Sequence, residues 1–208
     1  MRAISRRHLL RSATLGLTGL AVERAAAASF MGGSASAARG VSPRLLESAL
    51  RALARHHRRI WSQDVIAIAD FSSFSARPRL YLIDILDGRT TSLLVAHGRG
   101  SDPDNCGFLR YFSNLVGSKA TSEGAYLTGE RYEGMHGTAR RLIGLDPSND
   151  RAEERAIVIH SAKYVGQDIL ARRGRLGRSE GCFAVSPQDI VQVLARLGTG
   201  RLLYAGKA

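Results

Sequence analysis

What most constrains this chain is a series of short apolar runs, each bounded by glycine or small polar residues. Val65-Ile66-Ala67-Ile68, Leu80 to Leu86, Thr90 to Ala96, Leu142-Ile143-Gly144-Leu145, Ala156-Ile157-Val158-Ile159 and Leu202-Leu203-Tyr204 all have this form. Their length and their bounding residues predict strands. Asp87-Gly88 separates the second run from the third and predicts a hairpin closed by a type I′ turn, since this pair tolerates positive φ. The stretch 97–140, with glycine at 98, 100, 107, 117, 124, 129, 134 and 137, is long for an inert connection and predicts short strands joined by functional loops. Two helices stand out. Ser42-Pro43 opens one, with serine as N-cap and proline where a missing N–H costs nothing. Its apolar face is Leu45, Leu46, Ala49, Leu50, Leu53 and Ala54; without aromatics, that face is expected to pack on the domain rather than on a membrane. Ser186-Pro187-Gln188-Asp189 opens another, running to Leu197, with Asp189 placed as in a capping box. The fold class read from this pattern is a β-rich α+β domain, with Leu202–Tyr204 as its closing strand.

The formal net charge of +12 limits the partners, and part of it sits at the start of the chain. Arg2, Arg6, Arg7 and Arg11 form a basic segment, Ser12 to Val22 is mildly apolar, and Ala25 to Ser29 offers small residues for a signal peptidase. Ser5-Arg6-Arg7-His8-Leu9-Leu10 has the form of a twin-arginine export signal. Residues 1–28 are therefore read as a cleaved signal, 29–41 as a Ser/Ala/Gly linker, 42–60 as the N-terminal helix and 61–208 as the functional domain. Loss of five arginines and one glutamate from +12 would leave a mature charge of +8. The apolar run is too short to cross about 30 Å of hydrocarbon, so no stable membrane span is expected after cleavage. The protein is expected to be periplasmic or wall-associated. The runs Arg55-His56-His57-Arg58-Arg59 and Arg172 to Arg178 lack interleaved stacking aromatics, so they are read as solvated basic faces with no nucleic-acid role. No ligand spacing suggests a metal, and no cofactor is expected.

Two cysteines in an oxidising compartment first suggest a disulfide, but their surroundings differ. Cys106 lies in the turn-forming segment Asp102 to Gly107 and reads as an incidental thiol. Cys182 follows Ser179-Glu180-Gly181, behind a loop carrying Arg172, Arg173, Arg175 and Arg178. Nearby cations lower a thiol pKa, and this setting fits an activated nucleophile. His160, at the end of the Ala156–Ile159 run, is placed to take the thiol proton, with the Ser161 carbonyl fixing its tautomer. The N–H groups of Gly181 and Cys182 are expected to form an oxyanion hole. Gly177-Arg178-Ser179-Glu180-Gly181 also satisfies the GxSxG pattern, but no histidine follows Ser179 as that mechanism requires, so Ser179 is read as supporting the turn.

Ile159-His160-Ser161-Ala162 followed by Ser179-Glu180-Gly181-Cys182 resembles the L,D-transpeptidase catalytic-domain family. The blocks His97 to Asp102, Phe112-Ser113-Asn114 and Tyr126 to Glu130 resemble its murein L,D-transpeptidase branch. The resemblance covers roughly residues 64–205 and implies a β-sandwich-like fold. It further implies acyl transfer on peptidoglycan stem peptides through a Cys182 thioester, a thiol open to carbapenem-like reagents, and Arg178, Ser179, Glu180, Tyr126 and His97 as substrate-facing residues. Tyr126, with Arg140 and Arg141, also reads as an exposed strand residue. The family's second histidine is Glu180 here, and Phe183-Ala184-Val185 stands where asparagine or arginine often follows the cysteine. Two further readings use the same residues: hydrolysis by the same pair, as a carboxypeptidase or amidase, and a wall-binding module without turnover.

Overall fold

The proline at 43 does begin a helix. In the computed structural model, which describes residues 40–208, α1 spans Pro43–Arg55. Ser42 occupies the N-cap position, but its side chain makes no capping bond; only its carbonyl accepts the Leu46 N–H. The buried face is Leu45, Leu46, Ala49, Ala52 and Leu53, so Ala52 takes the inward place expected of Ala54. These side chains pack against Ile66, Ile68, Tyr81, Ile83, Ala125, Leu127 and Leu202. Each leucine so buried contributes about 1.5–3 kcal/mol, enough to hold a helix this short on the sheet. The proposed signal and all but the last two residues of the linker lie outside the described residues. No helix among the described residues is long and apolar enough to cross a membrane.

The strands are β1 (Val65–Asp70), β2 (Leu80–Asp84), β3 (Thr90–Leu93), β4 (Gly124–Gly134), β5 (Gly137–Gly144), β6 (Val158–Ser161), β7 (Phe183–Val185) and β8 (Leu202–Gly206). Two short helices, α2 (Gln167–Arg173) and α3 (Ile190–Arg196), follow β6 and β7. The hairpin around Asp87-Gly88 forms, but its turn is wider than expected. Asp84 N–H bonds Arg89 O, Gly88 N–H bonds Asp84 O, and Gly88 is the one loop residue with positive φ (+70°), so the two-residue type I′ turn is replaced by a four-residue connection. At α3, the Ser186 hydroxyl accepts the Asp189 N–H at 3.1 Å and donates to its carboxylate at 2.6 Å, so the carboxylate meets the hydroxyl rather than the Ser186 N–H of the expected capping box, and the regular helix begins only at Ile190.

All eight strands form one sheet in the order β3-β2-β1-β8-β4-β5-β6-β7. The expected closing strand β8 lies in the interior of that order, parallel to β1 and antiparallel to β4. Alternation along β1 shows how the layers arise: Ile66 and Ile68 face α1, while Val65, Ala67 and Ala69 face a second core. That second core joins Leu80 and Leu82 of β2 to Ile159 of β6 and to Phe183 and Val185 of β7, from opposite ends of the strand order. The sheet therefore curls over itself, and the Ala96 N–H bonds the Ala184 carbonyl at 2.8 Å, linking the extension of β3 to β7. This is the β-sandwich-like architecture that the family resemblance implies, with three α-helices among the described residues.

Candidate active site

His160 and Cys182 are brought together by one crossover. β6 and β7 are adjacent and parallel, which requires a long connection, and the segment containing α2 supplies it. Ile159 pairs with Phe183 and His160 with Ala184, which sets Cys182 beside Val158. Cys182 directly precedes β7 and His160 lies in β6, so the two stand on neighbouring segments, with Cα atoms about 8 Å apart by strand geometry. The expected strand at Ala156–Ile159 starts two residues later. Ala156 has φ +51° and belongs to a turn, and its carbonyl accepts the Cys182 Sγ–H at 3.6 Å. Both cysteines are free and half-buried.

The His160 ring is buried, and its Nδ1–H donates to the Ser161 carbonyl at 2.8 Å. That bond leaves Nε2 with a lone pair. On the other face the ring stacks with His136, from the β4–β5 turn, with centroids 4.5 Å apart and planes inclined by 26°. The Ser161 hydroxyl bonds the His136 carbonyl at 3.3 Å, so the hairpin tip is held over the histidine. Met135 beside it is fully in solvent.

The turn carrying Cys182 is built from below. The Ser179 hydroxyl donates to the Cys182 carbonyl (2.7 Å) and accepts the Gly181 N–H (3.1 Å). Ser179 N–H bonds His97 O, and Arg99 N–H bonds Ser179 O, so the segment His97–Arg99 runs alongside as a short parallel partner. Gly98 and Gly181 meet there: a Cβ on Gly98 would lie 2.7 Å from the Gly181 Cα, and Gly181 itself has φ +121°. Neither position admits a side chain without moving the turn. His97 is fully buried under this contact; Arg79 Nη2 donates to its Nδ1 at 2.7 Å, and its Nε2 faces Asp102 Oδ2 at 3.5 Å. Asp102 in turn accepts the N–H groups of Cys106 and Gly107, both at 2.8 Å.

Electrostatics at the pair differ from the expectation drawn from Arg172 to Arg178. Burial pushes the Cys182 thiol up; the Val158 N–H and Arg155 pull it down, and Glu180 adds to the upward push. The cation that acts is Arg155, not the arginine run. Burial pushes His160 below its ordinary value, opposed by the Ser161 carbonyl and reinforced by His136. The pair therefore rests as neutral thiol and neutral imidazole near pH 7. Burial, with Cys182 and Glu180 adding to it, raises the Tyr164 hydroxyl to about 12.

The other expected residues divide. Gly181 and Ser161 stand at the pair, but the Gly181 N–H is engaged by Ser179, and the Cys182 N–H makes no hydrogen bond among the described residues. Ser179 is buried and used within the turn rather than facing a ligand. Tyr126 is neither exposed nor in a groove: it is fully buried against Phe183 (5.4 Å between rings), with its hydroxyl on the Ser122 carbonyl. His97 is likewise internal. Arg140 is buried and bonds the carbonyls of Gly129 and Leu194; Arg141 lies over the Tyr132 ring. Glu180 is exposed and pairs with Arg99 (2.7 Å) and Lys119 (3.2 Å); slight burial pushes its carboxyl up, but these two cations hold it below the ordinary value. Arg178 is half-buried, with Nη1 on the Asp102 carbonyl. Arg155 was not singled out by sequence, and no local pattern marks it. Its guanidinium reaches the Ser113 and Ala120 carbonyls and the Ser122 hydroxyl, and so ties the loop before β4 to the cysteine. Among the described residues no three His, Cys, Asp or Glu side chains converge as a metal site needs.

The parallel β6–β7 pair thus carries a histidine in β6 and a cysteine directly before β7. The chain belongs to the L,D-transpeptidase catalytic domain family, whose model matches residues 37–205. Comparison with curated proteins found no match. Among solved structures, an L,D-transpeptidase from Mycobacterium smegmatis is 13% identical over 69% of this chain and 58% of its own, with a TM-score of 0.43. L,D-transpeptidase 3 from Mycobacterium tuberculosis is 13% identical over 69% and 61%, with a TM-score of 0.44. A cysteine-to-serine mutant of the Enterococcus faecium L,D-transpeptidase is 11% identical over 69% and 50%, with a TM-score of 0.41. The chain thus spans less than two thirds of the length of these proteins.

Proposed function

We propose that this protein is an exported cysteine acyl-transferase that acts on peptidoglycan stem peptides, with Cys182 as nucleophile and His160 as base. The observation that carries the reading is the His160 Nδ1–H bond to the Ser161 carbonyl, which reserves Nε2 for a proton from the thiol on the neighbouring segment. As Cys182 attacks the donor carbonyl, its proton passes to His160 Nε2, and the Sγ–C bond forms. The oxyanion is met by the free Cys182 N–H. His160 then protonates the departing amine, which leaves a thioester on Cys182. An incoming amine gives its proton back to His160 and attacks the thioester, restoring the thiol. Water in place of the amine would make the same pair hydrolytic.

One observation favours the alternative of a wall-binding module without turnover. The resting thiol hydrogen-bonds the Ala156 carbonyl and not His160. Incubation of the protein with a disaccharide-tetrapeptide fragment and an amine acceptor, followed by mass spectrometry, separates the readings. Transfer product lost in Cys182→Ser and in His160→Ala supports the acyl-transferase. Released D-amino acid without transfer product identifies the hydrolase. Wall binding retained by Cys182→Ala, with no chemistry in the parent protein, identifies the module. A carbapenem added to the parent protein is expected to leave a single covalent adduct, on Cys182.

A further inference from the structure

The arginine run Arg172–Arg178 is exposed to half-buried, as a solvated basic face would be, and part of it lines a cleft. Arg173, Arg175 and Arg178, joined by Arg99 and Asn105, line an open cleft of ≈ 490 Å³ that no carboxylate enters. The neighbouring Glu180 is already bound to the Nε of Arg99 and to Lys119, so the terminal amines of Arg99 remain unused. Among the described residues, Arg173 and Arg175 pair with no acidic side chain, whereas Arg172, one position away on α2, meets Asp168 at 2.7 Å and lies outside the cleft.

The backbone that gathers these charges is pinned. Gly174 ends α2 at φ +66°. Leu176 is buried and its N–H bonds the Ser75 hydroxyl at 3.2 Å. Gly177 N–H bonds the Tyr164 carbonyl at 2.9 Å, so close that a Cβ at 177 would lie 2.6 Å from the Tyr164 Cβ. Arg178 is anchored by Nη1 on the carbonyls of Asp102 and Pro103, which leaves the rest of its fork open. The pinned backbone thus keeps Arg173, Arg175 and Arg178 around one cleft with Arg99, where a single anion meets several guanidinium groups at once.

We propose that the cleft is a binding site for a phosphomonoester or pyrophosphate group. Guanidinium forks match phosphate oxygens two at a time, and a group of charge −2 or more answers several of them, where a single carboxylate would leave most of the charge unmatched. The proposal does not depend on acyl transfer, so it is tested on the Cys182→Ala protein by calorimetric titration with inorganic pyrophosphate. Binding is expected, and Arg173→Ala and Arg175→Ala are each expected to weaken it by about tenfold or more, as loss of a charge-assisted fork does. Arg172→Ala removes the same charge from outside the cleft and is expected to change affinity by less than about twofold. No binding, an equal loss in Arg172→Ala, or equally tight binding of a tricarboxylate would overturn the site. Two sources of the group are distinguished by sedimentation with phosphatidylcholine vesicles containing phosphatidic acid. Capture that pyrophosphate competes away assigns the cleft to a lipid headgroup; pyrophosphate binding without capture assigns it to a soluble phosphoryl compound. Capture unaffected by pyrophosphate would count against the cleft as the site.

Discussion

Two sets of arginines do different work in this molecule. Arg79 and Arg140 are buried and Arg155 half-buried, and each directs its guanidinium at backbone carbonyls: Val95 and Ser73 for Arg79, Gly129 and Leu194 for Arg140, Ser113 and Ala120 for Arg155. Arg99, Arg173, Arg175 and Arg178 face a cleft with most of their donors unused. Irregular segments lack ladder partners for their carbonyls, and a five-donor side chain can stand in for a missing strand. The carbonyl-bound arginines thus supply donors that the backbone lacks, and the cleft arginines are left for a ligand. Burial lowers Arg79 to about 9, with Asp70 and Asp102 pulling it back, so it still carries its charge at neutral pH.

The contrast is most easily broken by stability measurements. Arg79→Met leaves two carbonyls and His97 Nδ1 without their donor and is expected to cost about 3–5 kcal/mol in denaturant unfolding. Arg175→Met should stay within about 0.5 kcal/mol of the parent; equal effects would erase the distinction. Arg155→Met is expected to cost about 2 kcal/mol and to raise the Cys182 thiol further, since it removes the cation that lowers it. Alkylation rates across pH would reveal that rise.

His97 sharpens the picture through pH. Burial and Arg79 depress it from 6.5 to about 3, against Asp102. Between those values the unfolded chain binds a proton that the folded chain does not, so stability falls as pH drops through that window. His97→Asn should flatten the slope; an unchanged acid profile would show that the cluster does not govern it. The smallest effect is kinetic. His136 pushes His160 down, so His136→Ala should move the acid limb of kcat/KM upward in pH with little loss at its plateau, whereas removing a purely structural contact would lower the plateau and leave the limb in place.

The strands and the N-terminal helix were legible because their signals are local: the short apolar run of β1, buried on both faces, a serine-proline start and an apolar stripe each fit within one element. Turn details were less so. Asp87-Gly88 permits a type I′ turn, but Ile85 N–H bonds Asp64 O, a partner distant in sequence, and the loop widened. The likeness of Ile159-His160-Ser161-Ala162 and Ser179-Glu180-Gly181-Cys182 to a family marked the candidate pair, while its surroundings stayed hidden. Tyr126 sits on a strand whose inward half gives no sign of which side is covered. His97, polar and next to glycine, reads as a loop residue until Arg79 and Asp102 are seen to enclose it. Arg155 acts across loops that contact it only in three dimensions.

The position of β8 has a consequence for folding. In the strand order, β1 to β3 and β4 to β7 meet through residues 202–206, while the bridge from Ala96 to Ala184 ties their far edges together. Until those residues dock, the edges of β1 and β4 that they cover have no partner. Unpaired edges of that kind invite association with other chains. Docking of β8 therefore removes two open edges in a single step.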